Sequence, residues 1–271
     1  MAAYTTIDNP ELYFQAKTYT GNGSAGHAIT LDGSEDMQPD LVWIKQRDSR
    51  DHFLFNSVVG ATKYLASNLT QTEQTDANTM TGFNSNGFTL GNGVGCNENT
   101  DTHVAWCWKE SATAGFDIVL YSGNGTAGNT FSHSLSAIPE LVFCKIRNAE
   151  VADWYTYNAS LGNTKNIYLN TTGAVSTSTL WWNATTPTSS VVTLGDQTGN
   201  NGNARNFVAY LFAPKQGYSA MGSYTGNGDA DGVFIYLGFK PAFFLCKNYQ
   251  DSGDNWILHD NKRNTSNVTD E

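Results

Sequence analysis

The chain has 271 residues and a formal net charge of −10. This length allows about two ordinary domains, and an acidic composition poor in Lys and Arg excludes nucleic acid as an expected partner. With 13% aromatic and only 15% charged residues, the chain is not expected to be disordered, and the lack of an 18-residue apolar run predicts no membrane insertion.

One five-residue phrase occurs three times. It is Tyr-Thr-Gly-Asn-Gly at residues 19–23 and 224–228, and Tyr-Ser-Gly-Asn-Gly at 121–125. The phrase recurs after 102 and then 103 residues, and an apolar run that begins with proline follows each copy. A period near one hundred residues is the size of a small domain, so the pattern predicts tandem copies of one module.

The repeats divide the chain into four segments. Residues 1–18 are rich in apolar side chains, which predicts an attachment segment that docks on a neighbouring module, chain or scaffold. Residues 19–110 are predicted to be the first repeat and residues 111–217 the second. Residues 218–271 carry the first half of the pattern and are predicted to be a partial third repeat.

The pattern within each repeat predicts short strands separated by Gly, Asn and Pro. No segment has sustained helical periodicity, and strands of four to eight residues at this spacing are typical of an all-β fold. We predict tandem antiparallel β-sandwich modules of the jelly-roll or lectin-like kind. The predicted strands are 27–31, 41–46, 52–56, 62–67, 83–90, 102–109, 131–135, 141–147, 154–158, 166–170, 180–183, 191–194, 206–212, 233–237, 243–248 and 256–259.

The closing strands of the first two repeats, 102–109 and 206–212, are apolar on both faces. One face is expected to meet the core of its own module and the other a neighbour. In the partial third repeat, half a sandwich would leave an apolar face and an unpaired sheet edge. Three completions are open: a chain that continues, which we favour, the first 18 residues, or another chain.

The glycines of the phrase match a dinucleotide-binding fingerprint letter by letter. The first two copies place Gly21, Gly23, Gly123 and Gly125 at the required spacing. That fingerprint holds a pyrophosphate at a helix N-terminus, whereas strand-like residues follow here. We therefore predict no cofactor.

We interpret these glycines, together with Gly226 and Gly228 in the third copy, as tight turns.

Two aspartates in the third copy are the candidates for a metal site. Asn227, Asp229 and Asp231 have the spacing of the front of a calcium loop, but the closing acidic position is Gly238. The first two copies have no matching acids. We therefore predict an acidic turn and no metal, with Asp229 and Asp231 as the candidates if a cation does bind.

Nothing in the sequence has the spacing of a catalytic set. The five histidines are scattered, no Gly-x-Ser-x-Gly elbow is present, and no glutamate recurs across the repeats. Cys107, Cys144 and Cys246 occupy positions that hold Leu or Ile in another repeat, so they are predicted to be buried free thiols. The chain is not expected to be an enzyme.

Trp181 and Trp182 form the aromatic pair of most interest for binding. Adjacent residues of a strand point to opposite faces, so one ring is expected in the core and the other exposed or at an interface. An exposed Trp beside Asn and Thr suits sugar stacking or a protein contact. Packing between modules is an equally open interpretation.

The combined pattern resembles a family of uncharacterised repeat modules in virion proteins of tailed bacteriophages, notably marine ones. The features that carry the resemblance are the repeated phrase, the Pro-x-Leu-Val-x-x-Lys run, Ser-Asn-Gly-Phe-Thr-Leu at 85–90, the closing Val-Ala-aromatic strand and the opening residues 4–10. The resemblance covers nearly the whole chain. It implies lectin-like β-sandwiches on the surface of the virion and carries no catalytic residues.

The resemblance implies a structural virion protein, and a tail fibre or adhesin that contacts the host surface is the main hypothesis. Other virion proteins are the expected partners, with host-surface glycans as candidates and a homotrimer expected by analogy with phage fibres. Capsid decoration is the alternative, and a glycan-binding or glycan-hydrolysing tailspike is the second alternative.

Overall fold

The computed structural model describes residues 4–148 and 151–263. This part of the chain is all-β, as predicted: its sheets are antiparallel, and its helices are limited to three short turns. A 3₁₀-helix, Pro10–Leu12, precedes the first strand, with Pro at its first position and the Asn9 side chain accepting a hydrogen bond from the Glu11 amide as its N-terminal cap.

Repeat one, residues 14–108, consists of a large sheet and a small one. Its elements are β1 (Phe14–Thr20), β2 (His27–Ile29), β3 (Leu41–Gln46), β4 (His52–Asn56), β5 (Lys63–Ala66), β6 (Gln74–Thr75), β7 (Met80–Asn84), β8 (Gly87–Leu90), α1 (Val94–Asn97) and β9 (Thr102–Trp108). The large sheet has the order β1-β9-β3-β4-β5-β6, and the small sheet has the order β2-β8-β7.

Repeat two, residues 116–212, has the same topology in its large sheet. Its elements are β10 (Phe116–Ser122), β11 (Asn129–Ser132), β12 (Leu141–Ile146), β13 (Tyr155–Asn158), β14 (Lys165–Tyr168), β15 (Ser176–Thr177), β16 (Val191–Leu194), α2 (Thr198–Asn201) and β17 (Asn206–Phe212). The large sheet has the order β10-β17-β12-β13-β14-β15, and β11 pairs with β16. Repeat three is described over residues 219–263 and has one hairpin, β18 (Phe243–Cys246) and β19 (Ile257–Asp260).

Two long strands were not predicted. β1 and β10 each have seven residues, and the repeated phrase begins at their ends: Tyr19 and Tyr121 are the second-to-last residues of these strands. Polar residues at alternate positions, such as Gln15 and Lys17 in β1, weakened the strand pattern. The phrase therefore begins in the last two residues of the first strand and continues into the turn that follows, so it does not mark the start of a repeat.

Two predicted strands are absent. Residues 180–183 form a turn in which the Asn183 amide donates to the Thr179 carbonyl, and Asn183 and Ala184 have positive φ angles. Residues 233–237 are irregular. The equivalent strands β2 and β11 pair with β8 and β16. The described part of repeat three contains no strand equivalent to either partner, so the backbone of 233–237 has no ladder to join.

The large sheets are buried on both faces. In β9, Val104, Trp106 and Trp108 point into a core that repeats one and two share, whereas Ala105 and Cys107 point into a core under the small sheet of repeat one. β17 alternates in the same way between the shared core and a core inside repeat two. The two apolar faces predicted for these strands therefore meet a neighbour and the repeat's own core.

The hairpin of repeat three closes the shared core. Phe243, Leu245, Trp256 and Leu258 pack against it. Register shows that Leu245 occupies the position of Trp43 and Phe143, since their partners across the hairpins are Leu258, Leu54 and Thr156, each two residues before the end of its strand. These three positions are therefore equivalent in the three hairpins.

The contact from repeat two to repeat one recurs from repeat three to repeat two. Trp154 donates its indole hydrogen to the Ala66 carbonyl at 2.9 Å, and Trp256 donates to the Tyr168 carbonyl at 3.0 Å. Ala66 and Tyr168 are the last residues of β5 and β14.

Two lysines, Lys145 of repeat two and Lys247 of repeat three, make a second pair of equivalent contacts with the preceding repeat. Their ammonium groups donate to the carbonyls of Thr70 and Thr172 at 2.8 and 3.4 Å. The repeats are thus related by one recurring rotation around the shared core.

A second pair of contacts runs in the opposite direction around the core. Asn56, the last residue of β4, donates to the Tyr210 hydroxyl at 3.0 Å. Asp260, the last residue of β19, accepts from the Trp106 indole at 3.1 Å. Tyr210 and Trp106 are equivalent residues of the closing strands β17 and β9. This contact therefore joins repeat two to repeat one and repeat one to repeat three, as a cyclic arrangement requires.

A buried asparagine holds each of the first two phrases in place. The Asn97 amide nitrogen donates to the carbonyls of Gly91 and Ser24, and its oxygen accepts from the Asn22 amide at 2.9 Å. In repeat two, Asn201 makes the same contacts with Gly195, Thr126 and Asn124. Both asparagines are fully buried, so each stabilises its loop by satisfying backbone groups that water cannot reach.

We expect Asn201→Asp to lower the free energy of unfolding by about 3 kcal/mol, because a carboxylate would face the carbonyl oxygens of Gly195 and Thr126 without a hydrogen to donate. Urea titration would measure the loss. Asn203→Asp is the matched control, since Asn203 is exposed in the same loop. Equal stability of the two variants would contradict the role assigned to Asn201.

Candidate functional site

The phrase glycines do not present free amides to a phosphate. The Gly21 amide donates to the Asp101 carbonyl at 2.8 Å, and the Gly23 amide donates to the Asn97 carbonyl at 2.9 Å. The amides of Gly123 and Gly125 make the equivalent bonds to the carbonyls of Arg205 and Asn201.

Glycine is required in these turns for steric reasons. A Cβ atom at Gly21 would lie 2.0 Å from the Glu98 carbonyl oxygen. Gly23, Gly125 and Gly228 have φ near +66° to +69°. Gly226 and Gly228 lie in an exposed stretch outside any strand. The geometry of the first two copies is that of a tight turn held against a short helix.

The two candidate metal ligands lie in an exposed turn. The Asp231 amide donates to the Asp229 carboxylate at 3.1 Å, and the Asp229 amide donates to the Asn227 side chain at 3.1 Å. These are Asx-turn contacts, which use the side-chain oxygens to order the loop. Within residues 4–148 and 151–263, no group of three or more His, Cys, Asp or Glu is placed to hold a metal ion.

Trp181 and Trp182 are both buried, at 6% and 1% exposure. The expectation that one of the two rings would be exposed is therefore wrong. It assumed a strand, whereas the pair lies in a turn, and a turn directs neighbouring side chains without strict alternation. The Trp182 indole donates to the Lys165 carbonyl at 3.0 Å. Both rings pack in the core of repeat two.

The cysteines have no part in a site. Cys107 and Cys144 are fully buried free thiols, as predicted, and Cys96 is a buried free thiol too. Cys246 is a free thiol but only half-buried, so the prediction of burial is wrong there. Burial raises the pKa of the Cys144 thiol to about 12, so it is protonated and unreactive at neutral pH. Among the described helices, none is long and apolar enough to cross a membrane.

Residues of all three repeats line a partly open cavity of about 230 Å³ beside the shared core, here called the central cavity. Its lining combines apolar or aromatic side chains with neutral polar ones. The lining residues are Trp43, His52, Ser67, Asn68, Leu169, Asn170, Thr171, Thr172, Leu245, Asn255, Trp256 and Leu258.

His52 lines the central cavity at a position that Trp occupies in the other two repeats. Trp154 and Trp256 immediately precede β13 and β19, and His52 takes the corresponding place in repeat one. The Trp43 indole donates to the His52 Nδ1 at 3.3 Å. An imidazole fills less space than an indole, and the unfilled volume adjoins Trp43 and Trp256.

The lining of the central cavity is electrically neutral at physiological pH. None of its lining residues is Asp, Glu, Lys or Arg. Burial, and then the positive charge of Lys45, lowers the pKa of His52 to about 4, so its imidazole is uncharged. Aromatic walls beside amide and hydroxyl groups suit a small, neutral, polar ligand. The same residues offer no charged acid–base pair for catalysis.

Sequence reasoning did not predict this cavity. Its members come from positions that are far apart along the chain, and Trp43 and His52 carry no motif. The one available signal was the His at a place where the other two repeats have Trp. That substitution becomes informative only when the strand registers have identified the three positions as equivalent.

A second unpredicted feature is a pair of carboxyl groups at the connection between repeats one and two. The Asp117 carboxylate is buried and accepts from the Ser134 amide and hydroxyl, at 2.5 and 2.9 Å. Burial, and then the hydrogen bond to Asp117 and its negative charge, raise the pKa of Glu110 to about 7. Neither group lines the central cavity.

The Glu110 pair makes stability depend on pH. The pKa of Glu110 is about 7 in the folded chain and about 4.3 in the unfolded chain. The contribution of protonated Glu110 to the unfolding free energy is therefore complete at acidic pH and is lost as pH rises through about 7. We expect the unfolding free energy of the native chain to fall between about pH 5 and about pH 8 relative to Glu110→Gln, measured by urea titration. Glu35→Gln, at an exposed carboxyl, is the control. Parallel pH profiles for the native chain and Glu110→Gln would refute this.

Comparisons with known proteins identify one family. A family model described as a domain of unknown function, DUF7483, matches residues 9–271. Comparison with curated proteins and comparison with solved structures found no match. The family match spans repeats one and two and all of the described part of repeat three. This chain therefore belongs to the DUF7483 family.

Proposed function

We propose that this chain is a structural virion protein of a tailed bacteriophage, a tail-fibre or adhesin-type component that contacts the host surface. The observation that carries the proposal is the joint packing of the repeats around one core, which makes a rigid body with loops directed outward. The Asn- and Thr-rich loops and the resemblance to phage repeat modules support a binding role at a surface.

The repeats act as β-sandwich modules of about 100 residues in this proposal. In repeat one, the small sheet covers one face of the large sheet and encloses a core of its own, with Phe55 and Phe88 at 0% exposure. Repeat two encloses a similar core around Val192 and Trp182. In this proposal the repeats are similar to lectins in that a layered β-sheet scaffold leaves its loops free for recognition.

The central cavity is the proposed seat of a single neutral sugar unit of a host-surface glycan. Trp43 and Trp256 supply ring faces, and Asn255, Thr171 and Thr172 supply donors and acceptors. A volume of about 230 Å³ is below the range of drug-sized pockets and matches one sugar ring. The lining residues themselves offer no ionic partner to a charged sugar.

We expect a panel of neutral monosaccharides to contain a ligand with a Kd of about 1 mM, since about twelve heavy atoms at about −0.3 kcal/mol each give roughly −4 kcal/mol. Isothermal titration calorimetry would measure it. Asn255→Ala removes a polar group at the exposed rim and should weaken binding about 2- to 10-fold. Asn261→Ala, exposed and outside the cavity, should leave it unchanged.

The location of the chain on the particle tests the rest of the proposal. Quantitative mass spectrometry of purified virions should find a low copy number, as a tail appendage requires. A copy number that matches the capsid lattice would favour capsid decoration and overturn the tail-fibre assignment. Light scattering of the purified chain would test the expected homotrimer.

Failure of all sugars to bind would refute the assignment of the central cavity as a sugar site, without bearing on the tail-fibre assignment.

A further inference from the structure

Several polar side chains of the central cavity already have partners within the chain. The side-chain oxygen and the side-chain nitrogen of Asn68 each make a hydrogen bond to another group of the protein, and the same is true of Asn170. The Trp256 indole donates its one hydrogen to the Tyr168 carbonyl. Because these bonds hold the walls of the cavity, recognition of a ligand falls to the groups that have no partner.

Four polar groups of the lining have no hydrogen-bond partner among residues 4–148 and 151–263. They are the hydroxyls of Ser67 and Thr172, the amide of Asn255 and the ring nitrogen Nε2 of His52. A hydroxyl both donates and accepts, and a free amide can turn to present either its oxygen or its nitrogen. His52 Nε2 is not one of the buried unpaired polar atoms in the described part of the chain, so a ligand can reach it.

The Trp43 indole determines which nitrogen of His52 carries the hydrogen. An indole N–H can only donate, and it lies 3.3 Å from His52 Nδ1, so Nδ1 accepts with its lone pair. In the uncharged imidazole the hydrogen is then on Nε2. Burial, and then the positive charge of Lys45, lowers the pKa of His52 to about 4, so the uncharged form is present at neutral pH. His52 therefore offers an N–H donor whose role is fixed.

The corresponding rings of the other repeats have no donor to spare. Trp154 and Trp256 donate their only N–H hydrogens to the carbonyls of Ala66 and Tyr168 in the preceding repeat, and an indole has no second polar atom. Of these three equivalent rings, only His52 combines an acceptor that holds it in place with a donor that is left for a ligand.

We propose that His52 is the specificity-determining residue of the central cavity, where its Nε2–H donates a hydrogen bond to one oxygen of a bound neutral sugar. This inference rests on the proposed assignment of the cavity as a sugar site. The rings of Trp43 and Trp256 pack against the C–H groups of the sugar, and the Nε2–H selects for an acceptor oxygen at one position. A sugar that lacks this oxygen leaves the donor without a partner and binds more weakly.

Monodeoxy sugars test the hydrogen bond. Isothermal titration calorimetry of the full chain with glucose, galactose and mannose identifies the tightest binder of the three. One of its monodeoxy derivatives should bind the native chain about 2- to 10-fold more weakly than the parent sugar, and this difference should disappear in His52→Phe. His52→Gln, which keeps a side-chain acceptor and a donor, should restore part of it. His259→Phe, exposed and outside the cavity, is the control.

The outcomes separate the role of His52 from the sugar site itself. If none of the three sugars binds the native chain, the sugar site is refuted and the role of His52 falls with it. If a sugar binds and every monodeoxy derivative loses as much affinity in His52→Phe as in the native chain, the role of His52 is refuted and the sugar site stands.

Nitrogen-15 NMR of the imidazole tests the tautomer without a sugar, and it needs only the native chain and His52→Gln, which assigns the His52 signals by their absence. At neutral pH we expect the hydrogen on Nε2 and a lone pair on Nδ1. Trp43→Phe removes the donor that fixes this tautomer and should produce a mixture of the two forms. A hydrogen on Nδ1 in the native chain would overturn the proposal.

Discussion

The shared apolar core is the constraint on which the rest of the structure depends. Each large sheet presents a second apolar face, and neither repeat can cover that face by itself. A buried Trp such as Trp106 removes roughly 200 Å² from water, worth on the order of 5 kcal/mol as an upper estimate. Separating the repeats would expose Trp106, Trp154 and Tyr210 together, so the repeats are obliged to associate.

The hydrophobic effect is not directional, so polar contacts must set the angle between the repeats. Trp154 and Trp256 help to fix this angle, because each indole donates its one N–H hydrogen to the carbonyl at the end of a strand in the preceding repeat. Their loss would leave a buried carbonyl unpaired. The contact Trp106–Asp260 returns from repeat one to repeat three. His52, where the other repeats have Trp, lines the central cavity.

Particular elements show how far sequence patterns reach. β3, β4, β16 and β17 have the predicted bounds, because β-branched and aromatic residues between turn residues describe them locally. β1 was missed because its alternating polar residues hide the strand pattern, whereas β10 is largely apolar and was missed because the repeat was taken to begin at the glycine phrase. Trp181 and Trp182 were misjudged because burial in a turn depends on the neighbours that cover it. The central cavity was invisible because its walls come from three repeats.

The sequence by itself determined the all-β class, the period near one hundred residues, the tight turns of the glycine phrase and the two apolar faces of the closing strands. These properties follow from local residue chemistry and its periodicity. Only the tertiary structure decided that the repeats share one core and that residues of all three repeats line one cavity. These properties depend on which distant strands become neighbours, and pairing across a hundred residues is set by the packing of whole faces.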